Sequence, residues 1–273
     1  MSTPSRTELQ GRRGRLFYGW WIVWAALFVT ALTSGSVWGA TGIWLKTMES
    51  HFRWTRTQLT GAFALAQLEG SIVGPLAGYV VDRLGPRIMV LVGLLVVGTG
   101  FIILSRTTNL VLFYLAFAVF MVGASTGTWL PMTTALNSWF NRKKGTAIAL
   151  SGEGNYLGGL LLVPLLAWAV SPDHFGWQTT ALGLGILFLA LAVPVSRIVR
   201  DRPEDYGLLP DGDQSPSLSA EPADVGQTGE GSPATADMVS LTARQAMRTS
   251  AFWYLTFGIA FSAMINQTLG VHL

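Results

Sequence analysis

Asp82, Arg83 and Arg87 fall within the ten-residue segment Gly78-Tyr79-Val80-Val81-Asp82-Arg83-Leu84-Gly85-Pro86-Arg87, of pattern GxxxDRxGxR, with long apolar stretches on either side. Charge beside lipid is costly, so three charges in so short a turn point to a polar latch joining two membrane helices rather than to bond-making chemistry. Asp82 ends the first of these helices, at the negative end of its dipole. It therefore needs compensation from Arg83, Arg87 or the positive N-terminus of another helix. Gly78 suits close helix packing, Gly85 a tight turn, and Pro86 the start of the next helix. A turn that only fixed orientation would need the arginines but no aspartate, so the segment Gly78, Asp82, Arg83, Gly85 and Arg87 is read as a gating motif.

Two carboxylates lie deep in apolar runs. Glu69 is roughly 17 to 20 Å from either end of its helix and Glu153 roughly 13 Å from the start of its own, at 1.5 Å per residue. An acid at that depth must be protonated, paired or turned to water. Glu153, Glu69, Asn155, Trp38 and Trp129 form the candidate substrate or proton site, with Gln67 and Asn137 nearby in sequence. Glu153 carries a proton or binds solute, or else hydrogen-bonds a neighbouring helix as structural glue. His51 and His174 lie outside the apolar runs, whereas His272, Asn266 and Gln267 fall in the last of them. No nucleophile, base and orienting group occur together, which argues against an enzyme, an intramembrane acid protease included. No metal-ligand spacing and no cofactor pattern is present, and the chain has no cysteine.

The elements that must position these groups are membrane helices. Half of the residues are hydrophobic and 12% are charged, about half the charged share of a soluble domain. Apolar runs long enough to cross the bilayer fall near Gly19 to Leu45, Thr57 to Val81, Ile88 to Leu104, Leu110 to Asn137, Thr146 to Val170 and Trp177 to Ser196, with a partial seventh from Phe252 to Leu273. The first is too long for a cleavable signal. Counting alternate loops, one side of the bilayer holds Arg6, Arg12, Arg13, Arg15, Arg83, Arg87, Arg142, Lys143, Lys144, Arg197, Arg200, Arg202, Arg244 and Arg248, and the other Lys46, Arg53, Arg56 and Arg106. That bias puts the N-terminus and the Asp82 turn in the cytoplasm of a multi-pass protein of the cell membrane. The basic pI of about 9.4 reflects this topology, and no nucleic-acid partner is expected.

Glycines at four-residue spacing mark the first span (Gly35, Gly39), the second (Gly70, Gly74, Gly78), the fourth (Gly123, Gly127) and the fifth (Gly154, Gly158), which predicts that these four pack inside while the third and sixth are outer helices. Asp82-Arg83-Leu84-Gly85 after the second span is echoed by Asp173-His174-Phe175-Gly176 after the fifth, as an inverted three-plus-three repeat would give. The domains read as 1–18, a cytoplasmic N-terminal segment; 19–198, six helices; 199–249, a cytoplasmic linker, largely disordered; and 250–273, a truncated seventh helix. Residues Asp211 to Asp237 hold six acids and neither Lys nor Arg, a composition that cannot form a core.

The Asp82 segment resembles the signature turn between the second and third helices of the major facilitator superfamily, and the layout is similar to that family's N-terminal half and central loop. Three further segments look like its monocarboxylate and oxalate/formate branch: Tyr18-Gly19-Trp20-Trp21, Trp139 to Gly145 running on to Gly152, and Arg202 to Pro210. The chain departs from that branch in lacking the acidic residue that eukaryotic members place before the glycine of the first-span motif. The resemblance implies an all-α polytopic bundle that moves a small solute, a monocarboxylate or dicarboxylate, by alternating access, as antiporter or symporter with a counter-anion or a proton. It also implies that Asp82 meets a helix of the second half. A non-transport six-span partner or sensor is the alternative. The expected partners are the solute, the lipid bilayer and a C-terminal half continuing beyond Leu273. Branch members rely on intramembrane basic residues, and here no Lys or Arg lies deep in any span, Lys46 at the end of the first being the nearest.

Overall fold

The structure, a computed structural model, describes residues 17–206, 208–212, 249, 250, 252–254, 256–258 and 261, without the side chains of residues 63, 66–72 and 75. The expectations for Arg6 to Arg15, for the acidic stretch beyond Gly212 and for His272, Asn266 and Gln267 lie outside those residues. The chain divides into two compact units, Met1–Leu218 and Ser219–Leu273. In the second, residues 250, 252–254, 256–258 and 261 are helical, where the sequence predicts a seventh span.

The first unit is a bundle of helices: α1 (Gly19–Phe52), α2 (56–84), α3 (86–105), α4 (Leu110–Trp139), α5 (Lys144–Val170) and α6 (Gly176–Ile198). Five described segments are long and apolar enough to cross a membrane, α1, α4, α5, α6 and a stretch containing α3. α2 and α3 form one continuous helical run, Arg56–Ser105, broken where Gly85 adopts φ 79° and ψ 158°. Gly176, the first residue of α6, also has positive φ, at 73°. The two Asp-x-x-Gly turns thus share the backbone feature that only glycine adopts cheaply.

Helix ends follow local chemistry. Thr55 and Gln58 form a reciprocal capping box at the start of α2, and the Asn109 side-chain Oδ1 accepts from the Leu112 N–H, 2.8 Å, at the start of α4. Three helices carry a wide π turn at mid-length: Ser34–Gly39 in α1, Ser125–Trp129 in α4 and Gly158–Leu162 in α5. Pro131 and Pro164 follow the second and third, and a proline has no N–H to donate to the carbonyl four residues back, with which its ring clashes. In α1 the buried Trp44 indole N–H donates to the Ser36 carbonyl, 3.0 Å, across the loosened turn.

The core lies where α3, α4 and α6 meet. Phe101 stacks on Phe120 and on Phe188, centroids 5.0 and 5.8 Å apart, and all three rings are fully buried. Glycines set the closest approaches. A Cβ on Gly35 of α1 would lie 2.6 Å from the Gly158 carbonyl of α5, and one on Gly158 would strike the Ala31 carbonyl. Gly154 meets Leu27 and Ala31 in the same way, so the glycine faces of α1 and α5 pack on each other.

Close packing is not confined to the four-residue spacing. Gly93 of α3 backs directly onto Gly127 and Gly123 of α4, and Gly98 of α3 onto Gly185 of α6. A lone glycine suffices when its partner helix supplies the second. Conversely, α5 is the least covered of these spans, with Tyr156, Leu160, Leu161 and Leu165 exposed, although its glycines bind it to α1. Gly74 and Gly78 of α2 have open space where a Cβ would stand.

Gly158→Leu is expected to lose about 1–3 kcal/mol through forced separation of α1 and α5, read as a lower thermal midpoint of the detergent-solubilised protein. Gly74→Ala is expected to stay within about 0.5 kcal/mol of the parent.

Candidate solute site

The π turns bring polar side chains to one place. A cavity of about 200 Å³ lies between α1, α4 and α5, lined by Thr30, Thr33, Ser34, Trp38, Ala124, Ser125, Thr128, Trp129 and Asn155. Ser34 and Trp38 stand on the first π turn, Ser125, Thr128 and Trp129 on the second, and Asn155 three residues before the third. An inserted residue re-aims a helix face, and π turns concentrate at functional sites for that reason. The Thr128 hydroxyl donates to Thr33 Oγ1, 3.4 Å, and the Ser34 hydroxyl to the Asn155 backbone carbonyl, 3.3 Å, so neighbouring helices are cross-linked at the cavity's edge. The lining offers hydroxyl and amide groups between two indoles, and no charged side chain belongs to it.

The structure therefore joins three of the sequence-selected residues, Trp38, Trp129 and Asn155. Glu153 is exposed, sits between the helical segments ending at Gly152 and beginning at Gly154, and is not part of the lining. Its neighbour Gly152 lies against the Trp129 indole instead. The side chains of Glu69 and Gln67 lie outside the described residues, and Asn137 is exposed near the end of α4. The five hydroxyl residues of the lining were not singled out by sequence reasoning, because Ser and Thr are unremarkable in membrane helices until the turn that gathers them is known.

A larger cleft, about 630 Å³, opens at the far end of α1 and holds Lys46, His51 and Trp177 between mostly apolar walls. It sits at helix ends, away from the π turns. Lys46 is exposed there, in keeping with a snorkelling side chain, and the His51 ring contacts Phe52 and Trp177. His174 packs on Trp168.

At the opposite end lies the charged turn. Asp82 is exposed on the last turn of α2 and, among the described residues, has no hydrogen-bond or ion-pair partner. The Arg83 guanidinium lies over the Tyr79 ring, 4.7 Å from its centroid, one helical turn back. Gly85 does more than turn the chain: a Cβ there would stand 2.7 Å from Oδ1 of Asp201, whose carboxylate accepts from the Arg87 N–H, 2.9 Å, at the first free amide of α3. Pro86 has no N–H, so Asp201 takes the donor that a capping side chain at Gly85 would have taken.

The turn between α4 and α5 is held similarly. Asp211, itself at φ 60°, accepts from the N–H groups of Asn141 (3.0 Å), Arg142 (2.6 Å) and Lys143 (3.4 Å). Desolvation pushes its carboxyl up, but the three backbone donors and the Arg142 charge outweigh it and hold the group below its ordinary value.

A family model described as Major Facilitator Superfamily matches residues 24–273. A Bacillus subtilis protein named uncharacterized MFS-type transporter YcxA is 27% identical over 176 residues, 64% of this chain and 43% of its own. The mouse monocarboxylate transporter 11 is 27% identical over 183 residues, covering 67% and 40%, and the oxalate:formate antiporter of Oxalobacter formigenes 25% identical over 194 residues, covering 70% and 45%. The chain thus spans less than half the length of these relatives.

Two outcomes follow from the turns. Gly85→Ala is expected to destabilise the protein by about 1–3 kcal/mol for its backbone of positive φ and extended ψ alone, checked by thermal unfolding. Since the folded Asp211 carboxyl titrates below its unfolded value, its contact stabilises the turn above the ordinary carboxylate pKa and is lost as pH falls through the lowered one. Amide exchange at 141–143, corrected for the intrinsic rate, is expected to stay slow at neutral pH and to accelerate only in that acid window.

Proposed function

The chain belongs to the Major Facilitator Superfamily, and we propose that it supplies the six-helix half of a secondary transporter that moves a small solute across the cell membrane by alternating access. The hydroxyl-lined cavity where the π turns of α1, α4 and α5 converge carries this reading. In lipid, polar side chains are gathered around a void only at a cost, and a solute path is the use that a cavity of this chemistry serves.

The lining suggests how the solute is held. Thr30, Thr33, Ser34, Ser125, Thr128 and Asn155 can each bond an oxygen atom of the solute, at about 0.5–1.5 kcal/mol net per neutral hydrogen bond, while Trp38 and Trp129 bound it with flat apolar faces. A monocarboxylate or dicarboxylate fits these donors, and two relatives are named for such cargo. With no cation in the lining, neutralisation of a carboxylate falls to residues outside this cavity or to a proton, and exchange against a counter-anion would balance the charge moved. Glu153, beside the cavity on α5, is the proposed proton group, with Glu69 as the second acid.

The positive-inside bias supports a cytoplasmic position for the Arg87 end. There the Asp82 turn is the proposed gate. Its carboxylate finds no partner within the described residues of this half, as a contact made and broken with another helix requires.

Uptake of labelled lactate or oxalate by the full-length protein in liposomes tests the assignment. Asp82→Asn is expected to abolish uptake without reducing membrane insertion, and Thr128→Val to raise KM about three- to tenfold, the weight of one hydrogen bond. Normal uptake by Asp82→Asn removes the gating role. A full-length protein that binds no solute and transports none favours a six-span partner or sensor.

A further inference from the structure

The three segments that resemble the monocarboxylate branch are far apart in sequence and meet in space. The Tyr18 hydroxyl donates to the Ile198 carbonyl, 2.9 Å; the Trp139 indole N–H donates to the Arg200 carbonyl, 2.9 Å; and the Ser138 hydroxyl donates to the Asp201 carbonyl, 2.8 Å. The Arg200 guanidinium is sandwiched between the rings of Tyr18 and Tyr206, 3.9 and 4.1 Å from their centroids. Beneath it, Trp139 and Phe140 are fully buried against Phe17 and Tyr18. Pro203 is buried too, whereas the acids beside it, Glu204 and Asp205, are exposed. The segment leaving α6 is therefore seated by specific contacts, although its polar composition reads as linker.

Its two remaining acids reach the two turns that start α3 and α5. Asp201 accepts from Arg87 beside Gly85, and Asp211 accepts from Asn141, Arg142 and Lys143. Both are charge-assisted bonds to amides that no helix can satisfy, at the positive ends of helix dipoles.

We propose that residues 199–206 and 208–212 are a clasp that locks the start of α1, the Asp82 turn and the α4–α5 turn into one rigid unit, with Asp201 and Asp211 as positioning residues for the gate. The inference rests on the transport reading: a half that rocks as a body must carry its gate at a fixed place, and Asp82 is five residues from the amide that Asp201 holds. Asp201 acts through the backbone, so an acceptor oxygen at that point is what matters. Asparagine retains one and alanine does not.

The test uses the full-length protein, with any cysteine outside residues 1–273 replaced and a single cysteine reporter at Ser125→Cys in the cavity, residues 1–273 themselves having none. Asp201→Ala and Asp211→Ala are made separately, with Asp201→Asn and Glu204→Gln as comparisons. Two readouts are taken: amide exchange at Arg87 and 141–143, and the ratio of maleimide labelling of the cavity between inside-out and right-side-out vesicles. Asp201→Ala is expected to speed exchange at Arg87 about tenfold and to change the labelling ratio about threefold or more, while Asp201→Asn and Glu204→Gln stay near the parent. Asp211→Ala, at the periphery, gives the same pattern at 141–143 and keeps the test decisive if Asp201→Ala does not fold. Unchanged exchange overturns the clasp. Faster exchange with an unchanged labelling ratio reduces it to a structural tie and overturns its positioning role. A parent protein whose cavity is labelled from neither side defeats the transport reading instead, with the exchange result standing by itself.

Discussion

Every backbone amide and carbonyl in this protein must find a partner without water wherever lipid surrounds it, and the departures from plain helix are placed where such partners exist. At the π turn of α1 the Trp44 indole takes the Ser36 carbonyl and the Ser36 hydroxyl takes the Leu32 carbonyl, 2.6 Å. Thr126 and Thr134 do likewise around the π turn of α4, bonding the carbonyls of Val122 and Leu130. At the helix starts near Arg87 and Arg142, amides that no preceding turn can satisfy are met by carboxylates borrowed from the end of the bundle. The irregular backbone of the cavity and the tight turns at its rim are solutions of one problem.

That constraint separates charge from cavity. Hydroxyl groups can bond the helix's own carbonyls when no solute is present, so Thr and Ser line a void at a smaller cost than an ion would. An ion cannot do so. Apart from Glu153 beside the cavity, the charges named here sit at the two ends of the described bundle: Lys46, His51, Glu49 and Arg56 at one, with the ion pair Arg56 to Glu49 at 3.2 Å, and Asp82, Arg83, Arg87, Arg200, Asp201 and Asp211 at the other. A cavity lining without charge, set between charged rims and with Glu153 beside it, is what a transported carboxylate would meet on this half, under the function proposed.

Much of this was legible in sequence. Hydropathy located the helices, five of whose described segments are long and apolar enough to span; the pattern Gly35, Gly39 with Gly154, Gly158 matches the α1–α5 contact, whereas the expected outer helices α3 and α6 meet α4 in the core; Asp82 to Arg87 does lie at a turn. Trp38, Trp129 and Asn155 were chosen for their type and do share the cavity. Glu153 is two residues from Asn155, about 200° around a helix of 3.6 residues per turn, so both could not face one void. The π turns escaped detection because one extra residue per turn leaves composition unchanged. Gly93 opposite Gly127 escaped because a spacing rule looks along one helix, whereas the contact joins two. The clasp escaped for a third reason: its partners lie 114 and about 70 residues away, and local composition carries no information at that range.

The turn between α2 and α3 has two aspartates at its disposal, and their different fates explain its pattern. Asp201 comes from outside, occupies the N-terminus of α3 and so spends the nearest helix dipole. Glycine at 85 is then required twice over, for its positive φ and for the space that the Asp201 carboxylate fills. Asp82 is left at the unfavourable end of α2, where a carboxylate costs about 0.3–1 kcal/mol and Arg83, drawn onto Tyr79, compensates it only in part. A residue that served folding alone would relieve that cost by being neutral. Holding the turn still with one aspartate is what allows the other to stay unsatisfied, and an unsatisfied charge at a fixed position is the condition that the proposed gate needs.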